Sequence, residues 1–482
     1  MFEARLLIDG TPRSAHAEAT FERVSPTTRK VATRAARASV ADVRAAIEAA
    51  NAAFPAWSQT GPSARRELLL NAARLLREKS GEFEARMAAE TGGTRGWAHF
   101  NAHVGALMLE EAAALTTQVS GQVIPSNHPG TLSFSVRQAA GVVVGMAPWN
   151  APVILGVRAI ATPLACGNTV VLKASETCPA THALIGEVMQ AAGFPKGVVN
   201  VITHAGEDAP AITEALIAHP AVRRVNFTGS SRVGRIVGAL AGQHLKPALL
   251  ELGGKAPLVV LDDADLDAAV NAAVFGSFMN QGQICMSTER VVVDEKIADA
   301  FVERFGKRAA ALKVGGPTDP TPIGPVVDPS SAERVTRLIQ DAVKQGAKLV
   351  CGGSGDGVYF KPTIVDRVTR DMQLYHEESF GPIVAIVRVS GDDEAVRVAN
   401  DSEYGLSAAV FGRDVSRAIS VAQRIESGMC HINSPTVQDE PQMPFGGVKA
   451  SGFGRFGGLA GVNEFTELRW LSIALQPRHY PF

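Results

Sequence analysis

From Arg137 onward one pattern repeats along the chain. Apolar, β-rich runs alternate with runs of helical spacing: GVVVGMAP, VILGVRAIATPLACG, TVVLKAS, CPATHALIGEVMQAAG, GVVNVIT, APAITEALIAHP, VRRVNFTG, SSRVGRIVGALAG. Strands separated by helices in this way predict a parallel sheet with covering helices. A second series begins after Gly254 with APLVVLD, a helix near 265–280, RVVVDE and a helix from about Ala298 to Leu312. It continues through PTIVDRV, GPIVAIVRVS, a helix near 393–400 and SAAVFG. The expected fold class is therefore α/β, with two parallel-sheet α/β domains. A length of 482 residues is ample for two or three domains with a large core.

Other stretches read differently. Residues 41–58 and 64–91 carry helical apolar spacing. The stretch QVIPSNHPGTLSFSVRQ alternates polar and apolar residues around NHPG, as a hairpin does, and NEFTELRWLSIAL reads as a late strand. A lone hairpin and a lone tail strand need partners, so these segments are expected at a subunit interface.

Charge and cysteine usage exclude several classes. The formal net charge is -1, which gives no pull toward nucleic acid or an acidic membrane surface. Five cysteines (Cys166, Cys178, Cys285, Cys351, Cys430) are scattered, and no CxxC pair occurs. That argues against a disulfide framework and a structural metal site, and for a reducing, cytoplasmic setting. The start, MFEARLLIDG, lacks the apolar stretch of a signal peptide. Gln138–Val157 is uncharged, but Pro148, Asn150 and Pro152 in its middle suit a turn better than a bilayer span.

Several short motifs carry chemistry. In NQGQICMS, Cys285 follows Gly282 and Gln283, where a chain turns and a ligand can reach a thiol, so Cys285 is the candidate nucleophile. Cys166 and Cys178 flank a strand and look structural, and Cys430 beside His431 on a strand points away from it. LLELGGK ends an apolar run in Glu251. A carboxylate there is either a salt-bridged core group or one whose pKa burial lifts toward that of a general base. In APWNAP, Asn150 sits between a strand and a helix. Its amide suits an oxyanion site, and equally a helix cap.

Two glycine patterns and one strand end concern a nucleotide. GFGRFG (Gly452, Gly454, Gly457) matches a dinucleotide fingerprint literally but follows no apolar strand. GSSRVG, from Gly229 to Gly234, does follow one and opens a helix. Ser230 there is either a plain N-cap or part of a phosphate anchor at the helix start. VVLKASE ends a strand with Lys173 and Glu176. A carboxylate at that place accepts ribose hydroxyls and repels a 2′-phosphate; the plainer reading is an exposed ion pair.

In order and spacing, APWN, VVLKASE, FTGSSRVG, LELGGK, NQGQICMS, EESFGP and PFGGVKASGFGR resemble the NAD(P)-dependent aldehyde dehydrogenase superfamily, from near the N-terminus to about Trp470. The stretches after Asn150 and around Phe445 look most like the bacterial salicylaldehyde, vanillin and benzaldehyde dehydrogenases. The resemblance implies Cys285 as the thiolate nucleophile, Glu251 as the activator of water, and Asn150 with the Cys285 N–H as the oxyanion site. It implies NAD as cofactor, with Trp149, Lys173, Glu176, Gly229, Ser230, Glu378 and Phe380 around it, and Ile154, Arg158 and Phe445 beside the aldehyde. Residues 1–118 and 140–252 would form the NAD-binding domain and 253–449 the catalytic domain, with 119–139 and 450–482 a small β oligomerisation element in a dimer or tetramer. An aromatic aldehyde is the expected substrate, and a semialdehyde with a distal carboxylate is the alternative that Arg158 keeps open. A CoA-acylating enzyme would not need Glu251, and a non-catalytic protein on this fold would not need all three of Cys285, Glu251 and Asn150.

Overall fold

The computed structural model describes residues 1–482. An eight-stranded sheet runs in the order Gly452–Phe453, Ala248–Glu251, Val222–Thr228, Val142–Met146, Thr169–Lys173, Val199–Ile202, Leu6–Ile8, Thr11–Arg13. Its five inner strands from Ala248–Glu251 to Val199–Ile202 are parallel, and its margins are antiparallel. A seven-stranded sheet runs Lys348–Cys351, Thr363–Asp366, Ile383–Val389, Thr288–Asp294, Ala256–Val260, Ser407–Phe411, Met429–Ile432, with only the first strand antiparallel. Both are the α/β layers that the alternation predicts. Helices cover both faces, so strands such as Val142–Met146 and Ala256–Val260 are buried at every residue and read as unbroken apolar runs. Each sheet has a core on either side, with clusters of 50 and 23 buried residues about the first and 30 and 20 about the second.

The hairpin and tail strand meet. Gln122–Val123 and Thr131–Ala139 pair antiparallel, and Thr466–Ala474 pairs along the whole of Thr131–Ala139. Earlier parts of the 450–482 stretch lie elsewhere. Gly452–Phe453 adds an antiparallel edge to Ala248–Glu251, so the literal GFGRFG pattern opens no strand–helix phosphate turn. The helix Gly458–Glu464 packs on the helices of the first sheet.

Three local differences from the sequence pattern have plain causes. The helical stretch 64–91 is two helices, Pro62–Glu78 and Ser80–Glu90, because Lys79 leaves helical geometry ahead of Ser80 and Gly81. The helix expected near 265–280 stops at Phe278, since Asn280, Gln281 and Gly282 all turn to positive φ. The helix expected from Ala298 to Leu312 runs Glu295–Ala310, capped by Asp294. A long helix, Arg95–Leu115, and the N-terminal strands carry no signal in the alternation. No helix is long and apolar enough to cross a membrane.

Candidate active site

The carboxyl ends of the parallel strands in the first sheet lie side by side, which is where open α/β sheets bind ligands. Lys173 is in register with Met146, Met146 with Phe227, and Thr228 with Glu251. The chain leaving Met146 passes through Pro148, Trp149 and Asn150. With Gly229, Ser230, Glu251, Gly253, Cys285, Glu378 and Phe380 these line one cavity of about 370 Å³ between the two sheets.

The Cys285 loop is held open by strain and by amides. Three successive residues, Asn280, Gln281 and Gly282, have φ of 47°, 57° and 70°. Two non-glycine residues in that region need outside support. Gln281 supplies it by donating to the Pro325 carbonyl and accepting from Gly324 N–H, at 3.0 and 2.9 Å. Gln283 accepts from Val327 N–H at 2.9 Å. The amides that stand before the cysteine in sequence are therefore the pegs of its loop.

Asn150 is pinned to the same loop. Its Nδ2 donates to the Gln283 carbonyl at 3.0 Å, and its own carbonyl accepts from Trp97 Nε1 and Asn280 Nδ2 at 2.9 and 3.0 Å. The helix Pro152–Ala165 starts without any side-chain cap, so Asn150 is not a capping residue. One amide hydrogen of Asn150 remains free, and the Cys285 N–H donates to no backbone carbonyl.

Glu251 has no salt bridge and no hydrogen-bond partner on either carboxylate oxygen, although it is 1 % exposed. Burial pushes its carboxyl up to about 7, against the pull of Arg158 and the Cys285 thiol. Burial also holds the Cys285 thiol well above its ordinary value, and the neighbouring Glu251 adds to this. The pair is therefore a neutral thiol facing a carboxyl poised near neutrality.

Two glycines explain how close this all is. A Cβ at Gly253 would lie 2.6 Å from Glu378 Oε2, and one at Gly254 would lie 2.3 Å from the Cys285 carbonyl. Gly254 N–H donates to Glu378 Oε1 at 2.9 Å. Glu378 is half-buried in the cavity wall, and the loss of solvent around it pushes its carboxyl up to about 8. Trp149 and Phe380 meet edge to face, with ring centroids 5.7 Å apart. Ser230 caps the helix Ser231–Gln243, accepting from Val233 N–H, and that helix start faces the cavity. Lys173 and Glu176 lie one strand further along the same rim and do not line the cavity. Burial brings the Lys173 ammonium down to about 8, while Glu176 is exposed in the next turn.

The residues expected on the aldehyde side divide. Ile154 packs into the main core and does not line the main cavity, while Leu155, one residue on, does. Arg158 and Phe445 line a smaller neighbouring pocket with Met108, Asp439, Met443 and Phe456. Arg158 is buried, ion-paired with Asp439, and its guanidinium lies 4.2 Å from the centre of the Phe445 ring. The charge of Arg158 is felt at both Glu251 and Cys285, which puts this pocket beside those two residues.

The profile of the aldehyde dehydrogenase family matches residues 13–471. The chain belongs to that family. A vanillin dehydrogenase from Pseudomonas sp. (strain HR199 / DSM 7063) is 59% identical over 482 residues, the whole of both chains. The crystal structure of a salicylaldehyde dehydrogenase from Pseudomonas putida G7, complexed with salicylaldehyde, superposes with a TM-score of 0.98 at 51% identity over 100% of each chain. PnpE, solved in complex with nicotinamide adenine dinucleotide, gives a TM-score of 0.95 at 37% identity over 99% of each chain.

Aldehyde dehydrogenases are oxidoreductases, and this one has polar residues at its site that no motif announces. Asp439 is one: its Oδ1 is buried and unpartnered, and its other oxygen holds Arg158. Glu289, buried behind the cavity, is another. Neither has a local signal, because each acts through partners far away in sequence.

Proposed function

We propose that this aldehyde dehydrogenase oxidises an aromatic aldehyde to its carboxylic acid, using NAD, through an acyl group carried on Cys285. The observation that carries the reading is the convergence of Cys285, Asn150 and an unpaired, buried Glu251 in one cavity. Glu251 takes the thiol proton as the sulfur attacks the aldehyde carbon. The developing oxyanion is met by the free Asn150 amide hydrogen and the Cys285 N–H. A bound NAD would supply the acceptor for the hydride that leaves the tetrahedral carbon. Glu251 gives the thiol proton up to solvent before water attacks the thioester left on Cys285; that water then gives a proton to Glu251, and the acid departs as the proton passes to the leaving thiolate and restores the thiol.

The remaining residues of the cavity, with Lys173 and Glu176 on the rim beyond it, fit a dinucleotide. Ser230 and its helix start offer N–H groups to a pyrophosphate. The carboxylates of Glu378 and Glu176 suit ribose hydroxyls, with Lys173 beside the second, and Gly229 lets the backbone come near. The ring edge of Phe380 and the Trp149 face border a flat group. Glu176 favours NAD over a 2′-phosphorylated dinucleotide.

Support for an aromatic substrate comes from the vanillin and salicylaldehyde dehydrogenases that this chain resembles over its whole length. It also comes from the side chains of Met108, Phe445 and Phe456, which give the mixed pocket beside the catalytic pair its apolar part. The only cation there, Arg158, is neutralised by Asp439, which weakens the case for a carboxylated semialdehyde. We read Arg158 and Phe445 as contacts for the substituted ring, and the three-stranded sheet, with Val123, Leu468 and Trp470 exposed, as the place where copies join in a cytoplasmic homo-oligomer.

A panel of benzaldehyde, hydroxybenzaldehydes, straight-chain aldehydes and succinic semialdehyde, followed by NADH absorbance, tests the reading. Aromatic members are expected to give the highest kcat/KM, and enzyme quenched mid-turnover is expected to carry an acyl mass on the Cys285 peptide. Full turnover by Cys285→Ser with no such adduct would overturn it.

A further inference from the structure

Glu289 lies on the strand Thr288–Asp294, four residues after Cys285, and is 3% exposed. Its carboxylate is fully used. It accepts from Ser379 N–H at 3.0 Å, Ser379 Oγ at 2.7 Å and Phe380 N–H at 3.1 Å. It also pairs with Lys255 Nζ at 2.8 Å, and Lys255, 2% exposed, donates in addition to the Glu377 carbonyl at 2.6 Å. The backbone on both sides of Glu378 is therefore gripped by one buried ion pair. The turn needs a grip: Phe380 has a φ of 44°, which a residue with a bulky Cβ rarely adopts unaided.

A buried ion pair is a poor way to gain stability, since an apolar pair of similar volume does as well or better. This one has a geometric output instead. Glu378 and Phe380 are the residues of the turn that face the cavity, while Glu289 and Lys255 do not reach it. Lys255 also follows Gly254, whose N–H holds Glu378 Oε1. The pair thus ties the Glu251–Lys255 segment, the strand Thr288–Asp294 that follows the Cys285 loop, and the Glu378 turn into one frame.

We infer that Glu289 and Lys255 are positioning residues for cofactor binding, setting the 377–380 turn so that Glu378 and Phe380 present themselves to the dinucleotide. The inference rests on the reading that Glu378 holds the cofactor. Charge follows the same route: Glu289 raises the Glu378 carboxyl and Lys255 lowers it, on top of the larger effect of burial.

Steady-state kinetics on the full-length enzyme, with thermal melting, tests this. Glu289→Gln is expected to raise the KM for NAD by about tenfold and to leave the aldehyde KM within about twofold. It also strands the Lys255 charge, so its melting temperature falls. Lys255→Met combined with Glu289→Gln removes that stranded charge. The double variant is expected to recover most of the melting temperature and none of the NAD affinity. It should also move the pH dependence of NAD binding to lower pH. Recovery of NAD affinity along with stability would overturn the inference and make the pair a fold element only. Glu378→Gln separates the two readings. If it raises the NAD KM while Glu289→Gln does not, the positioning role falls alone. If Glu378→Gln changes nothing, the reading of Glu378 falls and the inference with it.

Discussion

Two buried glutamates in this molecule are treated in opposite ways. Glu251, at the end of its strand, has no partner on either oxygen, and burial lifts its carboxyl to about 7. Glu90, at the end of the helix Ser80–Glu90, is equally buried but accepts from Thr33 Oγ1, Ala180 N–H, Thr181 N–H and Thr181 Oγ1, all within 2.9 Å. It ties a strand of the three-stranded Phe2–Ala4, Val31–Ala36, Thr20–Val24 sheet to the start of the helix Pro179–Ala191. The difference teaches how to tell a working carboxyl from a structural one. A group that must exchange protons is left short of hydrogen bonds at a cost to stability, whereas a group that holds elements together is fully satisfied.

The comparison breaks most visibly through rate. Glu251→Gln keeps the shape and loses the base, so steady-state turnover is expected to fall by about 10²–10⁴-fold. Acyl-enzyme should then accumulate, visible as a persisting mass on the Cys285 peptide. In the wild type, kcat/KM for the aldehyde is expected to rise with pH up to about 7 and then level off, because the carboxyl must be ionised to take the thiol proton. A profile that stays flat from about pH 5.5 to about pH 8.5, about 1.5 units on either side of neutrality, would remove Glu251 from the proton path.

Glu90→Gln should do the reverse. The amide cannot accept all four hydrogen bonds, and its NH₂ faces other donors. We expect a loss of about 2–4 kcal/mol in unfolding free energy, read from denaturant melts, with the kcat of the folded enzyme little changed. A fall in kcat without a fall in stability would erase the distinction between the two carboxyls.

Stability against pH sharpens the contrast. The folded Glu251 carboxyl titrates near 7, against 4.5 for an ordinary one. A carboxyl with a raised folded value favours folding most at low pH. That advantage is lost as pH climbs from about 4.5 through about 7, and above this the full cost of an ionised, unpartnered group is present. Glu251→Gln removes the cost, so at pH 8 the variant is expected to be more stable than the wild type by about 1–3 kcal/mol, and no different at pH 4.5. Equal stability at both values would mean that the carboxyl finds a partner in solution.

How much of this was legible in the sequence depends on the range of the cause. The sheets follow from alternation, a local property, and so do the strand ends that carry Lys173, Glu251 and the Asn150 turn. Cys285 stands out because glycine and amides precede it. Glu289 and Asp439 were invisible because their partners, Ser379 and Arg158, lie 90 and 281 residues away. Ile154 was read as lining the aldehyde channel, and Leu155 lines the main cavity instead. The helix Pro152–Ala165 is buried on all sides, so its apolar pattern carries no phase, and a step of one residue turns the wrong side chain to the site. The long helix Arg95–Leu115 was missed for a related reason. More than half of its residues are buried and it lies against four other helices, Pro62–Glu78, Ser80–Glu90, Pro152–Ala165 and Gly458–Glu464, leaving little polar face to mark its period.

The smallest effect belongs to a third kind of carboxyl, the exposed one. Glu176 stands in the turn after Thr169–Lys173 with solvent around it. Water screens what it repels. Glu176→Gln is therefore expected to reduce the preference for NAD over NADP by about tenfold or less, mainly by lowering the KM for NADP. Salt should shrink the wild-type preference in the same direction, since a Debye length of about 10 Å at 0.1 M cuts into an exposed charge–phosphate repulsion. A cationic neighbour sets the limit of this change. Lys173, half-buried and titrating at about 8, is mostly charged at neutral pH and attracts the phosphate that Glu176 rejects. Removing Glu176 should thus let Lys173 act on NADP alone, and the gain should fade as pH rises past 8. A wild type that uses both dinucleotides equally well would show that an exposed carboxyl at this rim sets no preference.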